Sequence, residues 1–175
     1  MTRALVVYES MFGNTRTIAE AIADGLAAHA TVDLVEVGDA SPVVAHDVDL
    51  VVVGGPTHAF GMSRPSTRDS ARQQATAPLV STRRGIREWV DDLDAPAGTA
   101  VATFATRVPT RFLPGSAAAA AARRLRRHGV DLVARPADFW VEGTPGPLRA
   151  GEVERALAWG ASLGADLASR SATTG

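Results

Sequence analysis

Short apolar runs alternate along the chain with segments whose apolar residues recur every three or four positions. The runs are typical of β-strands. The run at residues 48–53 is almost continuously apolar, which indicates a central parallel strand covered on both faces. We predict strands at residues 4–8, 31–37, 48–53 and 99–104, and a fifth within 130–141 that bends at Pro136.

The segments between these runs predict helices. Ile18, Ile22 and Leu26 are spaced four apart and predict a first helix that starts near Thr15. An amphipathic helix is also expected over residues 86–93, and an alanine-rich helix over 116–128 ends at Gly129. Residues 41–46 are too few for a helix between the second and third strands.

A last helix is predicted over residues 152–167. Its inward face is expected to carry Val153, Leu157, Leu163 and Leu167. Gly160 and Gly164 lie on the same helix and would let it approach the sheet closely. The segment from residue 169 to residue 175 is expected to be a frayed tail.

This order of elements predicts an α/β fold, because strands that alternate with helices form a parallel sheet covered on both faces. We predict a three-layer, doubly wound sandwich with a five-stranded parallel sheet in the order 2-1-3-4-5. Residues 1–175 form one domain. Residues 61–79, after the third strand, form an irregular insertion in which a short helix over 66–76 is possible.

Composition excludes several kinds of chemistry. The chain has no cysteine, all 18 of its basic residues are arginine, and its net charge is -1. Thiol chemistry and a lysine-dependent phosphate loop are therefore excluded, and no bulk field favours nucleic acid. The four histidines lie apart, so no metal site is expected. No apolar run is long enough to span a membrane and no signal peptide is seen, so we expect a cytoplasmic protein.

Residues 5–15 carry the strongest functional signal. A strand ends there in a loop rich in hydroxyls and backbone donors, and a helix follows at once. A helix N-terminus carries partial positive charge and unpaired N–H groups, which together bind phosphate. Because lysine is absent, neutral donors would hold this phosphate. A tight turn with an N-cap is the alternative. Glu9 is expected to face solvent beside this loop.

A second unusual loop follows the third strand. In open α/β sheets, ligands bind beyond the carboxyl ends of the strands, where the strand order reverses. For the order 2-1-3-4-5, that point lies between strands 1 and 3, at residues 9–15 and 55–62. The loop at residues 105–115, after the fourth strand, is the next neighbour. The run of arginines at residues 123–127 is interpreted as a solvated helix face.

These two loops resemble those of flavodoxins. Ser10-Met11-Phe12-Gly13-Asn14-Thr15 resembles the flavodoxin phosphate loop, and residues 54–61 resemble the second flavin loop of a flavodoxin-like branch. The resemblance implies FMN as the cofactor. It implies that the phosphate and flavin are bound by Ser10, Met11, Phe12, Gly13, Asn14, Thr15, Pro56, Thr57, His58, Ala59, Phe60, Gly61, Thr106, Arg107 and Val108.

The chain also departs from the flavodoxin pattern. Flavodoxins are usually acidic and stack tryptophan or tyrosine on the flavin, whereas the candidates here are Phe60, His58 and Phe112. The loops around the expected flavin site contain five arginines and only one carboxylate. Because positive charge favours reduced, anionic flavin, we predict a less negative midpoint potential than that of an acidic flavodoxin. The five arginines are Arg64, Arg68, Arg72, Arg107 and Arg111.

Three functions are compatible with these residues. The first is an electron-transfer protein that uses FMN and a redox partner protein. The second is an NAD(P)H-dependent FMN quinone or flavin reductase. The third is a flavodoxin-fold binding module that has lost FMN. Oxidation of reduced nicotinamide by the isolated protein separates the first function from the second.

Overall fold

A central parallel sheet confirms the predicted fold class. The structure is a computed structural model that describes residues 2–59, 61–110 and 115–173, without the side chain of residue 173. The sheet order is β2-β1-β3-β4-β5, as predicted, and β6 also pairs with β4. The strands are β1 (Arg3–Tyr8), β2 (Thr31–Glu36), β3 (Leu50–Pro56), β4 (Ala100–Arg107), β5 (Asp131–Leu132) and β6 (Ala137–Trp140).

The fifth position in the sheet is divided between two short strands. β5 pairs with the start of β4, and β6 pairs with its end. The division surrounds Pro136, which cannot donate a hydrogen bond to a ladder. The bend predicted there is therefore a complete break in the strand.

Helices cover both faces of the sheet and make the three predicted layers. One apolar core lies between the sheet and the pair α1 and α5, and a second lies against α3 and α4. A 3₁₀ turn, Arg126–His128, continues α4. The helices are α1 (Asn14–Leu26), α2 (Pro65–Gln74), α3 (Ile86–Asp91), α4 (Ala117–Leu125) and α5 (Glu152–Thr173).

Two segments around β3 refine the prediction. The strand does not stop at the glycine pair but continues through Gly54 and Gly55 to Pro56. A Cβ on Gly54 would overlap the ring of Phe104, so the missing side chain makes room for a core aromatic on β4. The insertion after β3 contains α2, which matches the possible short helix.

The inward face of α5 differs from the prediction. Leu163 and Leu167 are buried as predicted, but Val153 and Leu157 are exposed, and Ala156 is buried in addition. The cause is close contact with α1 rather than with the sheet. A Cβ on Gly160 would overlap the carbonyl oxygen of Ile22. The helix also continues through residues 169–173, which the sequence analysis assigns to a frayed tail.

Glu9, at the end of β1, is buried, so the expectation that it faces solvent is wrong. Its side chain has no exposed surface. One carboxylate oxygen accepts a hydrogen bond from the Ser63 hydroxyl at 2.5 Å, and the other accepts one from the backbone N–H of Ile86 at 2.8 Å. A buried carboxylate is tolerated only when its oxygens are paired in this way.

The hydrogen-bonded chain continues from Ser63 to Glu88. Arg68 of α2 donates to the Ser63 hydroxyl at 2.9 Å and to Glu88 of α3 at 3.0 Å. Burial is the largest single effect on the pKa of Glu88 and raises it, but the hydrogen bonds and charge of Arg68, together with hydrogen bonds from backbone N–H groups, hold that pKa below its usual range. We call Glu9, Ser63, Arg68 and Glu88 the Glu9 network. It joins the end of β1 to α2 and α3, and so places the insertion beside the loop that follows β1.

Replacing Glu9 by Gln tests the energetics of this network. Burial raises the pKa of Glu9 above 4.5, against the lowering effect of the hydrogen bonds from Ile86 and Ser63. Protonated Glu9 therefore stabilises the fold below pH 4.5, and that contribution is lost as the pH rises through the raised pKa. We expect Glu9→Gln to gain stability relative to the wild type over this rise, by about 1.4 kcal/mol per unit of pKa shift.

Urea unfolding of both proteins from about pH 4 to about pH 8 gives this difference directly. The comparison between the two proteins separates Glu9 from Glu88, whose lowered pKa removes stability as the pH falls below 4.5. A stability difference that stays constant over the whole range would contradict the buried, charge-sensitive role of Glu9.

Candidate functional site

A cavity of about 280 Å³ lies at the carboxyl ends of β1, β3 and β4. This is the edge where a doubly wound sheet binds its ligands. Twelve of the fifteen predicted site residues line it. They are Ser10, Met11, Phe12, Asn14, Thr15, Pro56, Thr57, His58, Ala59, Thr106, Arg107 and Val108. We call this space the sheet-edge cavity.

The loop between β1 and α1 forms one end of the sheet-edge cavity. Gly13 is the N-cap of α1 and has a φ of 96°, a left-handed conformation that glycine adopts without strain. This turn lets the buried Ser10 hydroxyl accept hydrogen bonds from the N–H groups of Gly13 at 3.1 Å and Arg16 at 3.3 Å. The loop is thus folded around its own serine. Gly13 shapes the loop and does not line the cavity.

Donors remain available at this end of the cavity. No described residue accepts a hydrogen bond from the N–H groups of Asn14 and Thr15, which belong to the first turn of α1. The Thr15 and Thr106 hydroxyls lie 2.7 Å apart and are both buried, so they join the β1 loop to β4. N–H groups at a helix N-terminus together with hydroxyls suit an anion held without a basic side chain.

A segment distant in sequence holds the β1 loop in place. The Ser81 N–H donates to the Ser10 carbonyl oxygen at 2.7 Å, and the Ser10 N–H donates to the Ser81 hydroxyl at 2.9 Å. The Ser81 hydroxyl in turn donates to Glu36, at the end of β2, at 2.6 Å. Nothing in the local sequence pattern around Ser81 indicates this role, because Ser10 and Ser81 lie 71 residues apart in the chain.

The loop after β3 makes a tight turn at the cavity wall. The N–H groups of His58 and Gly61 each donate to the other's carbonyl oxygen, at 2.8 and 3.0 Å, and Ala59 between them has a φ of 43°. Burial and the charge of Arg68 lower the pKa of His58, so its imidazole is neutral at pH 7. Gly61 lines a second, neighbouring cavity rather than this one. Phe60 lies outside the described residues.

Arg107, at the end of β4, is the only arginine on this wall among the described residues. Its guanidinium pairs with Asp138 of β6 at 3.2 Å and lies 5.4 Å from the centre of the Trp140 ring. Both partners come from the strand beside β4, so the break before β6 allows them to reach Arg107. A tryptophan therefore reaches the site indirectly, through the arginine.

The other predicted arginines lie elsewhere. Arg68 belongs to the Glu9 network, Arg72 pairs with Asp69 at 2.7 Å, and Arg64 lines a second cavity. Arg111 and Phe112 lie outside the described residues. Among the described residues, Arg107 is therefore the one predicted arginine that lines the sheet-edge cavity, and Asp138 partly balances its charge.

α2 provides a wall of the cavity that the sequence pattern does not reveal. One face of this helix lines the cavity with side chains spaced three or four residues apart. Their hydroxyl and amide groups are neutral, like the donors of the β1 loop. The only signal in the sequence is the hydroxyl-rich segment 66–76, which does not reveal where the helix packs. These residues are Thr67, Ser70, Ala71 and Gln74, and Val141 and Thr144 complete the lining.

Within residues 2–59, 61–110 and 115–173, no three histidine, aspartate or glutamate side chains come close enough together to hold a metal ion. None of the helices in those ranges is both long enough and apolar enough to cross a membrane.

Comparison with known proteins agrees with this fold. Residues 6–78 match the model of the flavodoxin family. No curated protein matches the chain. An archaeal flavodoxin structure superposes with a TM-score of 0.65 at 19% identity, covering 95% of this chain and 99% of that one. Oxidised flavodoxin 1 from Bacillus cereus gives a TM-score of 0.66 at 17% identity, covering 91% and 95%.

A flavodoxin described as WrbA-like, from Agrobacterium tumefaciens, superposes with a TM-score of 0.59 at 19% identity and covers 95% and 98% of the two chains. These identities are low, so the structural likeness concerns the fold. The chain therefore has a flavodoxin-like fold, and its residues 6–78 match the flavodoxin family model.

Proposed function

We propose that the chain binds FMN in the sheet-edge cavity and transfers electrons to a redox partner. One observation carries this proposal: the loops after β1, β3 and β4 converge on a single cavity whose donors, apart from Arg107, are neutral and whose lining residues include no carboxylate. A phosphate monoester needs donors without nearby negative charge, and a flavin ring needs a largely uncharged wall.

The residues that line the cavity would bind both the phosphate and the isoalloxazine ring of FMN. The N–H groups of Asn14 and Thr15, with hydroxyls of the β1 loop, would hold the phosphate. The segments 56–59 and 106–108 would line the isoalloxazine ring. The hydroxyl and amide groups of α2 would face the same ligand. When bound, FMN supplies the ability to accept and release one or two electrons.

The protein's own residues would shape the environment of the ring. The Glu9 network and the Ser10–Ser81 hydrogen bonds hold the β1 loop in position before any ligand arrives, which lowers the ordering cost of binding. Neutral His58 would offer hydrogen bonding without charge. Arg107 would supply the positive charge near the ring, and Asp138 would moderate it.

Replacing Thr15 by Val tests the phosphate seat. Valine keeps the size of the side chain and removes the buried hydroxyl. We expect FMN binding to weaken about tenfold, as for the loss of one charge-assisted hydrogen bond, and riboflavin binding to change little because riboflavin has no phosphate. Fluorescence quenching of each flavin measures both dissociation constants.

Thr17→Val is the matched control, because Thr17 is an exposed residue of the same helix and bonds only to the Gly13 carbonyl oxygen. Equal losses of FMN affinity in the two variants would contradict the assignment. So would equal losses of FMN and riboflavin affinity in Thr15→Val.

Opposite charge changes at Arg107 and Asp138 test the electrostatic role of that pair. We expect Arg107→Gln to make the midpoint potential of bound FMN more negative, and Asp138→Asn to make it less negative. Each shift should be on the order of tens of millivolts, since one charge near the ring is gained or lost. Potentiometric titration with absorbance detection gives the values. Shifts in the same direction would show that packing, and not charge, controls the potential.

A further inference from the structure

A second cavity, of about 440 Å³, lies beside the first. It is bounded by α2, α3, α4 and the 3₁₀ turn, and His58, Ala59 and Thr67 line both cavities. Its wall carries five arginines. Three of them come from residues 123–127, whose sequence pattern indicates a solvated helix face, but here they line a cavity. We call it the arginine cavity. Its arginines are Arg64, Arg87, Arg123, Arg124 and Arg127.

The charges of the arginine cavity are mostly not neutralised by the protein. Arg124 forms an ion pair with Asp91. Arg87 is held by the carbonyl oxygens of Met62 at 2.8 Å and Ser63 at 2.9 Å, which fix its position but leave its charge. Arg64, Arg123 and Arg127 have no acidic partner among the described residues.

These guanidinium groups are close enough to repel one another. Burial lowers the pKa of Arg87, and the charges of Arg124 and Arg64 lower it further, against smaller opposing effects of Asp91 and Glu88. Glu88 is already engaged by Arg68 of the Glu9 network. Clustered like charge in a recess destabilises the protein unless an anion occupies the recess.

We propose that the arginine cavity binds the pyrophosphate group of a nucleotide or dinucleotide. Guanidinium groups bind phosphate oxygens through paired hydrogen bonds, and several of them on different walls suit an anion with oxygens on every side. The recess favours such a compact ligand over the flatter surface of an acidic protein. The first turn of α2, with Ser66 and Thr67, adds N–H groups and hydroxyls to the same wall.

The shared wall gives this cavity a place in the proposed function. A ligand held by its pyrophosphate in the arginine cavity would lie against the segment His58–Ala59, which also bounds the sheet-edge cavity. Reduced nicotinamide dinucleotides belong to this class of ligand. A redox role for a ligand in the arginine cavity rests on the proposed FMN function. Binding of the anion itself does not depend on FMN.

Calorimetric titration with inorganic pyrophosphate and with ADP tests the proposal, at low ionic strength where charge pairing is least screened. The double variant Arg64→Gln/Arg127→Gln removes two exposed cavity arginines. Arg126→Gln/Arg135→Gln removes two exposed arginines that do not line the cavity, so the net charge of the two proteins is equal. We expect both ligands to bind the wild type and the control, and to bind the cavity variant at least about tenfold more weakly.

Amide chemical shifts locate the ligand. On pyrophosphate addition, the amides of Ser66 and Ala120, which line the arginine cavity, should move with the same affinity as the calorimetric titration. Movement confined to Gly13 and Asn14 would place the anion in the β1 loop and overturn the proposal. Titrations with and without added FMN keep the two functions separate, because a protein that fails to bind FMN still reports on this cavity.

Three further results would overturn the proposal. The first is equal affinity of the cavity variant and the control. The second is binding of pyrophosphate with exclusion of ADP, which would leave no room for a nucleotide. The third is binding of polyglutamate but of neither phosphate ligand, which would indicate an acidic protein partner instead.

Discussion

A single buried carboxylate organises the functional edge of this protein. Glu9 directly follows the first strand, at a position where a charged side chain is expected to face solvent. Two hydrogen bonds instead hold its buried carboxylate to Ser63 and to the first residue of α3. Through Ser63 and Arg68 the same network positions α2. Ser63 and Arg68 in this way anchor the insertion after β3 to buried polar groups. The walls of both cavities depend on this arrangement, since α2 contributes to each.

Local patterns predict the part of the site that is built from contiguous residues. The apolar run before Ser10 and the helical spacing after Gly13 suffice to predict a strand, a loop and a helix N-terminus, and strand order then brings residues 56–59 and 106–108 beside them. Contacts between distant segments are not encoded in such patterns. The burial of Glu9, the support from Ser81 and the wall made by α2 all depend on tertiary packing, so they emerge only from the structure.

The positions of the arginines along the chain do not show where their charges lie in the structure. Arginines that look evenly spread around the expected flavin loops separate into structural ones, such as Arg68, and one that faces the cavity, Arg107. The arginines of α4 instead meet Arg64 and Arg87 in a recess of their own. The buried face of α5 also could not be predicted from periodicity alone. The close contact with α1 at Gly160 buries a partly different face of α5 from the one that periodicity assigns to the core.

The most direct test of the account is a crystal structure of the protein grown with FMN. We expect electron density for the phosphate at the N–H groups of Asn14 and Thr15, with the isoalloxazine ring between residues 56–59 and 106–108. Density for the phosphate in the arginine cavity, or no flavin density at saturating FMN, would contradict the central claim.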